Sequence, residues 1–147
     1  MNWLNRNSNG LQAIAAIITA AVAIIALVGI KLQVDTSYRV QREQSAKEIY
    51  RELLNLSIAN PDLATPNYCV LEKSSRFPSY ESFVDYVLYT AEQVMEMDAS
   101  WSATMEQHLE AHRDYLCTAE TTGGNAPAVE AMLQSFKSRA CKTVTSC

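Results

Sequence analysis

An uncharged apolar run near the N-terminus precedes segments whose apolar positions recur with the period of an α-helix. The run from Leu11 to Ile30 holds about 20 residues, which at ~1.5 Å each span a hydrocarbon core of ~30 Å. It predicts a transmembrane helix over residues 11–33, after a short flank at residues 1–10. A cleaved signal peptide is the alternative. The run exceeds the usual ~7–15 apolar residues of such a peptide and lacks an A-x-A motif at its exit, so we predict an uncleaved anchor.

The next segment, residues 34–60, is predicted to form a juxtamembrane helix with one apolar side. This helix either starts anew at Asp35 and Thr36 or continues the membrane helix. It is expected to end at Asn60, because a residue before proline is disfavoured in the α region. Residues 61–78 hold three of the four prolines, which predicts a loop with one helical turn around Cys69 to Lys73.

Three more amphipathic helices are predicted beyond the loop. The first covers Tyr80 to Met97 with Ser79 as its N-cap, and the second runs from Ala99 to about Ala119 with Asp98 as its cap. A TTGGN break then precedes a last helix that has Pro127 in its first turn.

No segment shows the period-2 alternation of a β-strand. The predicted fold is therefore all-α, with one N-terminal transmembrane helix followed by a small bundle of about four helices. Residues 61–147 form the helical domain and pack with the juxtamembrane helix.

Charge is distributed unevenly and bears on the location of the domain. Beyond Val34 there are ten Lys or Arg and sixteen Asp or Glu, a balance that excludes a basic nucleic-acid-binding face. Cationic side chains cluster after the apolar run and are expected to lie near the anionic lipid surface of a membrane. Their excess over the N-terminal flank favours a cytoplasmic C-terminal domain. These membrane-proximal basic residues are Lys31, Arg39, Arg42 and Lys47.

The four cysteines favour the opposite side of the membrane. An even number in a small domain often forms two disulfides in an exported protein, which makes a periplasmic location the alternative. They contain no CxxC pair, so neither a zinc ribbon nor a redox motif is indicated. Whether Cys69, Cys117, Cys141 and Cys147 pair stays open at this point.

The order of the segments is similar to that of a known group of proteins. An apolar anchor leads into IKLQVDTSYRVQREQSAKEIYRELLNLSIANPDLA, then YESFVDYVLYTAEQVMEMD and WSATMEQHLEAHRDYLC. This pattern resembles a widespread group of small uncharacterised bacterial single-pass membrane proteins with a helical domain of unknown function. The basic turn typical of the group is diluted here by Val34, Asp35 and Tyr38, and the tryptophans expected towards the C-terminus are absent. The resemblance implies the architecture, a bacterial inner membrane as its location, and no activity.

Two histidines, His108 and His112, fall on one face of the predicted second helix. Imidazoles at i and i+4 are a common half of a zinc or copper site. The segment is neither HExxH nor Glu-x-x-His, so a metalloprotease and a di-iron bundle are not indicated. Because this face also carries apolar residues, ordinary core histidines are the alternative, and a pH-sensing pair is another.

Two surfaces are candidates for contact with other molecules. The first predicted helix after the loop carries an acidic face that suits a basic partner, although solvated helix faces often look alike. A second acidic group lies at Glu106, Glu110 and Asp114. Within the anchor, a seam of small residues would let two helices approach closely. The acidic face comprises Glu81, Asp85, Glu92 and Glu96, and the helix-helix seam comprises Ala13, Ala16, Ala20, Ala23 and Leu27.

No pattern marks an activated nucleophile or a cofactor site, so we predict a protein that is not an enzyme and has no cofactor. Its expected role is a membrane-anchored interaction module, either an accessory or scaffolding subunit of a membrane complex or a small homo-oligomer. Its expected partners are the lipid bilayer and a protein. A membrane-tethered metal or pH sensor using His108 and His112 is the alternative.

Overall fold

The computed structural model describes residues 8–118 and 124–143, and of residues 8–11, 13 and 143 it describes the backbone alone. The described chain is helical and contains no β-strand within those ranges. Its α-helices are α1 (Ser8–Ala59), α2 (Pro61–Ala64), α3 (Tyr68–Leu71), α4 (Phe77–Met97), α5 (Ser102–Glu110), α6 (Arg113–Thr118) and α7 (Pro127–Ala140), with short 3₁₀ helices at Ala99–Trp101 and Cys141–Thr143. The chain divides into two compact units, Met1–Gln41 and Arg42–Cys147.

Helix α1 is continuous over 52 residues. The juxtamembrane segment therefore continues the first helix and does not start a new one. The hydroxyl of Thr36 donates to the carbonyl of Leu32, 2.8 Å away and one turn earlier, which is the bond of a threonine inside a helix and not of an N-cap. The helix ends at Ala59, before Asn60 and Pro61, as predicted.

The apolar part of α1 is long and apolar enough to cross a membrane. None of the side chains in this stretch is buried within the protein, so a soluble core helix does not explain its composition. A helix of this kind is consistent with membrane anchoring, and a signal sequence near the N-terminus can also be long and apolar enough to meet this criterion.

The C-terminal part of α1 belongs to the second unit and contributes to its core. Ala46 and Leu53 are fully buried, and Ile49, Tyr50 and Leu56 pack against the buried set. Burying a side chain such as Leu53 contributes about 1.5–3 kcal/mol, so this part of α1 is integral to the folded domain.

The proline-rich segment is more helical than predicted. It forms two single turns, α2 and α3, and the second of these covers most of the turn expected at Cys69 to Lys73. Helix α4 then begins at Phe77, with Arg76 at the N-cap position and no side-chain cap. The predicted N-cap at Ser79 is wrong, because Pro78 is accommodated in the first turn, where a missing N–H leaves no hydrogen bond unmade.

The helix predicted from Ala99 to about Ala119 is divided. Asp98 caps the segment as predicted, since its carboxylate accepts from the backbone N–H of Ser100 at 2.8 Å. A 3₁₀ turn precedes α5, and α5 ends at Glu110. Tighter i to i−3 bonds then follow, from Ala111 to His108 and from His112 to Leu109, so α6 starts separately. The expectation of about four bundle helices is not confirmed in that form.

The core of the second unit lies between α4, α5, α6, α7 and the end of α1. Helix α4 buries the face that its periodicity predicted, and α7 does the same after Pro127 at its start. The buried apolar side chains from these two helices are Tyr80, Phe83, Val84, Val87, Leu88, Ala91, Val94, Val129, Met132, Leu133 and Phe136.

Candidate functional site

The two histidines lie at the end of α5 and in the break that follows it. His112 is 2% exposed, and His108 is half-buried. The Nδ1 of His112 is 3.2 Å from the hydroxyl of Tyr80 on α4. The Nε2 of His108 is 3.0 Å from the hydroxyl of Tyr50 on α1. Each imidazole thus connects the α5–α6 segment to a different helix through a tyrosine.

Burial controls the protonation of both rings. It lowers the pKa of His112 to about 4, with a smaller contribution from the neighbouring His108, and it also lowers the pKa of His108. Desolvation disfavours the charged imidazolium. Both rings are therefore neutral at pH 7, and the hydroxyl of Tyr80, whose own pKa burial raises further above its usual range, stays protonated.

The metal-binding prediction for His108 and His112 lacks further ligands. Within residues 8–118 and 124–143, no group of three or more His, Cys, Asp or Glu side chains is arranged to hold an ion. A tetrahedral site needs three or four such donors. The arrangement instead supplies hydrogen bonds to two buried or half-buried tyrosines.

An aromatic cluster adjoins His112, and the sequence reasoning did not identify it. It consists of Tyr68, Phe77, Tyr80 and Tyr115, and every pair of ring centroids among them lies 5.4–6.4 Å apart. Such pairs add about 0.5–1.5 kcal/mol each beyond area burial. In the sequence, only the spacing of Phe77 and Tyr80, three residues apart on one helix, indicated that aromatic rings would be neighbours. The rings from α3 and α6 come from too far along the chain to be paired by periodicity.

The acidic face of α4 lies on the surface, opposite the core side. Asp85 and Glu96 are exposed, and Glu81 and Glu92 are half-exposed. None of the four forms an ion pair with a Lys or Arg in the described part of the chain. The carboxylates of Glu81 and Asp85 add to burial in raising the pKa of Tyr115, so their negative charge reaches the neighbouring side chain on α6.

The second acidic group differs, because arginines accompany it. Glu106 accepts from Arg139 of α7 at 2.5 Å. Glu110 and Asp114 lie 3.6 and 3.8 Å from nitrogens of Arg113. Two arginines thus accompany three carboxylates here, whereas the four carboxylates on α4 have no such ion pair.

The predicted basic residues have separate environments. Arg42 donates to the backbone carbonyl of Glu96 at 2.6 Å, which satisfies an acceptor in the last turn of α4. Lys47 pairs with Glu43 one turn earlier on α1. Lys31 and Arg39 are exposed. A shared membrane-proximal role for these residues stays a prediction.

The seam residues of the anchor are on its surface. Ala16, Ala20, Ala23 and Leu27 are exposed on α1, and the side chain of Ala13 lies outside the described set. They are accessible to a second helix, so the seam also stays a prediction.

The cysteines form disulfides. Cys117 at the end of α6 is bonded to Cys141 just after α7, and Cys69 is disulfide-bonded as well. Cys147 lies outside the described residues. No free thiol occurs in the described part of the chain, so the question of pairing is answered for the three described cysteines.

The chain matches no protein-family model, and comparisons with curated proteins and with solved structures give no match either. The resemblance to bacterial single-pass proteins stays a prediction.

Proposed function

We propose that the protein is a non-enzymatic interaction module, anchored to a membrane by α1, whose second unit binds a basic surface of a partner protein through α4. The observation that carries this proposal is the acidic face of α4. Four carboxylates, two exposed and two half-exposed, share one side of a helix whose other side is core, and they have no ion-pair partner among the described residues.

Self-repulsion on such a face destabilises the free protein slightly, and a cationic partner relieves it. Complementary charge also steers association and speeds the encounter. The carboxylates of Glu106 and Asp114 provide an internal comparison, because arginines of the protein already balance them. The α4 face therefore has unused capacity for an external cation.

We also propose that this unit faces an oxidising compartment, the periplasm if the host is bacterial. Charge counting favours the cytoplasm, but the Cys117–Cys141 bond supports export, because cytosolic glutathione and thioredoxin keep thiols reduced. The disulfide bond of Cys69 supports the same exported location. This orientation runs against the charge rule, which favours the cationic flank on the cytoplasmic side.

A crosslinking experiment tests the α4 face. A photoreactive amino acid replaces Asp85 in the full-length protein in its native membrane, and the matched control places it at the exposed Gln134 on α7. We expect a discrete adduct from position 85 alone, which weakens when Glu81 and Glu92 are changed to Gln. Equal adducts from both positions, or none from position 85, contradict the proposal.

The compartment is tested separately with a membrane-impermeant maleimide on intact spheroplasts. Export predicts little labelling before mild reduction and strong labelling after it. Protection until lysis, with labelling that needs no reductant, would place the unit in the cytoplasm.

A second candidate function is acid sensing, favoured by the hydrogen bond between buried His112 and Tyr80. Protonation would place a charge in an interior lined by Tyr80, Phe83 and the neighbouring His108. The test is tryptophan emission of the full-length protein between pH 7 and 4. A reversible transition that His112→Gln abolishes supports sensing, and a featureless titration removes it.

A further inference from the structure

Beyond its apolar run, α1 continues as a helix that no other described residue covers. Every side chain of residues 31–41 is exposed, and none belongs to a packed core. Apolar side chains persist along this stretch, since Leu32 is 63% exposed, Val34 44% and Tyr38 64%. Removing such surface from water is favourable, and the headgroup layer of a bilayer is the first environment beyond Ile30 that can do so.

The structure divides the four predicted basic residues into two pairs. Arg42 donates to a backbone carbonyl in the last turn of α4, and Lys47 is paired with a glutamate on α1. Lys31 and Arg39 are exposed and form no ion pair within the described part of the chain. Asp35 lies between them and has no ion pair among the described residues either. Two cations and one carboxylate leave residues 31–41 with a single net positive charge.

The length of the helix places both cations near lipid headgroups. A bilayer of ~40–45 Å with a hydrocarbon core of ~30 Å has a headgroup layer of about 5–8 Å on each side. When Ile30 ends the hydrocarbon span, Lys31 lies about 1.5 Å beyond that boundary and Arg39 about 14 Å beyond it, at ~1.5 Å per residue. The backbone of Lys31 is thus inside the layer, and that of Arg39 is roughly 6 Å above its outer edge.

The direction of helical side chains closes that gap. Each Cα–Cβ bond tilts towards the N-terminus of its helix, and in α1 the N-terminal side is the apolar run. Tyr38 and Arg39 therefore lean back towards the bilayer. A long arginine stem can lie along apolar surface while its guanidinium reaches a polar layer, and a tyrosine ring is favoured at the same level. The guanidinium can then donate to a phosphate in a charge-assisted, bidentate geometry.

We propose that Lys31 and Arg39 bind the phosphates of anionic phospholipids in the leaflet where α1 leaves the membrane. Zwitterionic lipids also present a phosphate, but their ammonium group cancels its charge. The net positive charge of residues 31–41 therefore favours a lipid that remains anionic, and Asp35 opposes this preference. The inference rests on the membrane anchor of the proposed function, and it requires neither the α4 face nor a particular compartment for the second unit.

The test reconstitutes the full-length protein into nanodiscs with equal amounts of phosphatidylglycerol and phosphatidylcholine of matched acyl chains. Native mass spectrometry then counts the lipids that stay bound to the protein. We expect phosphatidylglycerol to exceed phosphatidylcholine about fivefold, the factor that corresponds to ~1 kcal/mol for one net charge at the lipid surface. Equal retention overturns the inference and leaves the anchor intact, whereas a protein that does not enter the discs overturns the anchor and this inference with it.

Variants assign the effect to residues 31–41, whose exposed side chains can be changed without touching the core. Lys31→Gln and Arg39→Gln should each bring the lipid ratio to about one, because the net charge becomes zero, whereas Arg39→Lys should retain the ratio. Asp35→Asn should raise it by a further factor of about five. The matched control is Arg51→Gln, which removes an exposed cation twelve residues further along α1 and should leave the ratio unchanged. An unchanged ratio in Lys31→Gln and Arg39→Gln, or an equal fall in the control, overturns the assignment.

Discussion

Removal of the Cys117–Cys141 disulfide gives the most direct measure of how the second unit is stabilised. The bond joins residues separated by 24 positions. In the chain-entropy model, a loop of that length lowers the free energy of folding by about 3.5 kcal/mol at 25 °C, because the cross-link restricts the unfolded chain. A domain of this size has about 5–15 kcal/mol of stability in total, so the loss is a large share of it.

The assay compares the full-length wild type with Cys117→Ala/Cys141→Ala in detergent, by chemical and thermal unfolding without reductant. The double variant is needed because a reductant would also open the bond at Cys69. For about 100 residues, 1 kcal/mol corresponds to roughly 4–8 °C in Tm, so we expect a decrease on the order of 15 °C. A decrease in the free energy of unfolding below about 1 kcal/mol would refute the reasoning, since the cross-link would then restrict little of the unfolded chain.

Three further predictions concern the core, a helix cap and pH. Leu53→Ala should lower the free energy of unfolding by about 2–5 kcal/mol because Leu53 is fully buried. Leu54→Ala, at the neighbouring 37% exposed position, should lower it by less than about 1 kcal/mol. Urea unfolding compares the two variants, and equal losses would contradict the burial of α1 in this unit. Asp98→Ala removes the hydrogen bond to the backbone of Ser100 and should lower the urea midpoint of unfolding, with Asp98→Asn closer to wild type. An unchanged midpoint in the alanine variant would mean that water replaces the cap. The folded-state pKa of His112, about 4, lies below the usual 6.5. The stability that neutral His112 contributes to the folded state is therefore complete above pH 6.5. It is lost as the pH falls towards 4, by roughly 3 kcal/mol at most. Denaturation at several pH values measures this loss, His112→Gln should flatten the slope, and an unchanged slope would assign the acid sensitivity to other groups.

Periodicity and local chemistry predicted the parts of the fold that depend on neighbours in the chain. The end of α1 before Pro61, the cap at Asp98 and the start of α7 at Pro127 all follow from steric or hydrogen-bonding rules that act within one turn. The core face of α4 followed from the spacing of its apolar side chains alone.

The features that the sequence did not predict depend on contacts between distant residues. Nothing in Glu110, Ala111 or His112 disfavours a helix, so the break between α5 and α6 has no local cause. It accompanies the burial of His112 against Tyr80, 32 positions earlier. Likewise, four cysteines allow three pairings, and only the fold selects Cys117 with Cys141.

The candidate site shows the same division. The acidic face of α4 was predicted from a helical wheel because all its members share one element. The ion pair between Arg139 of α7 and Glu106 of α5 was not, because the two residues lie 33 positions apart. It forms only once the two helices are packed.

The contact between Trp101 and Tyr50 provides an optical reporter within the protein. Their ring centroids are 5.1 Å apart, close enough for efficient energy transfer from the phenol to the indole. The chain has two tryptophans, and Trp3→Phe leaves the emission of Trp101 alone. Excitation of the tyrosines then yields indole emission, in part through Tyr50, and that part falls when α1 and the Ala99–Trp101 turn separate. Their separation can thus be followed in one sample without an attached dye.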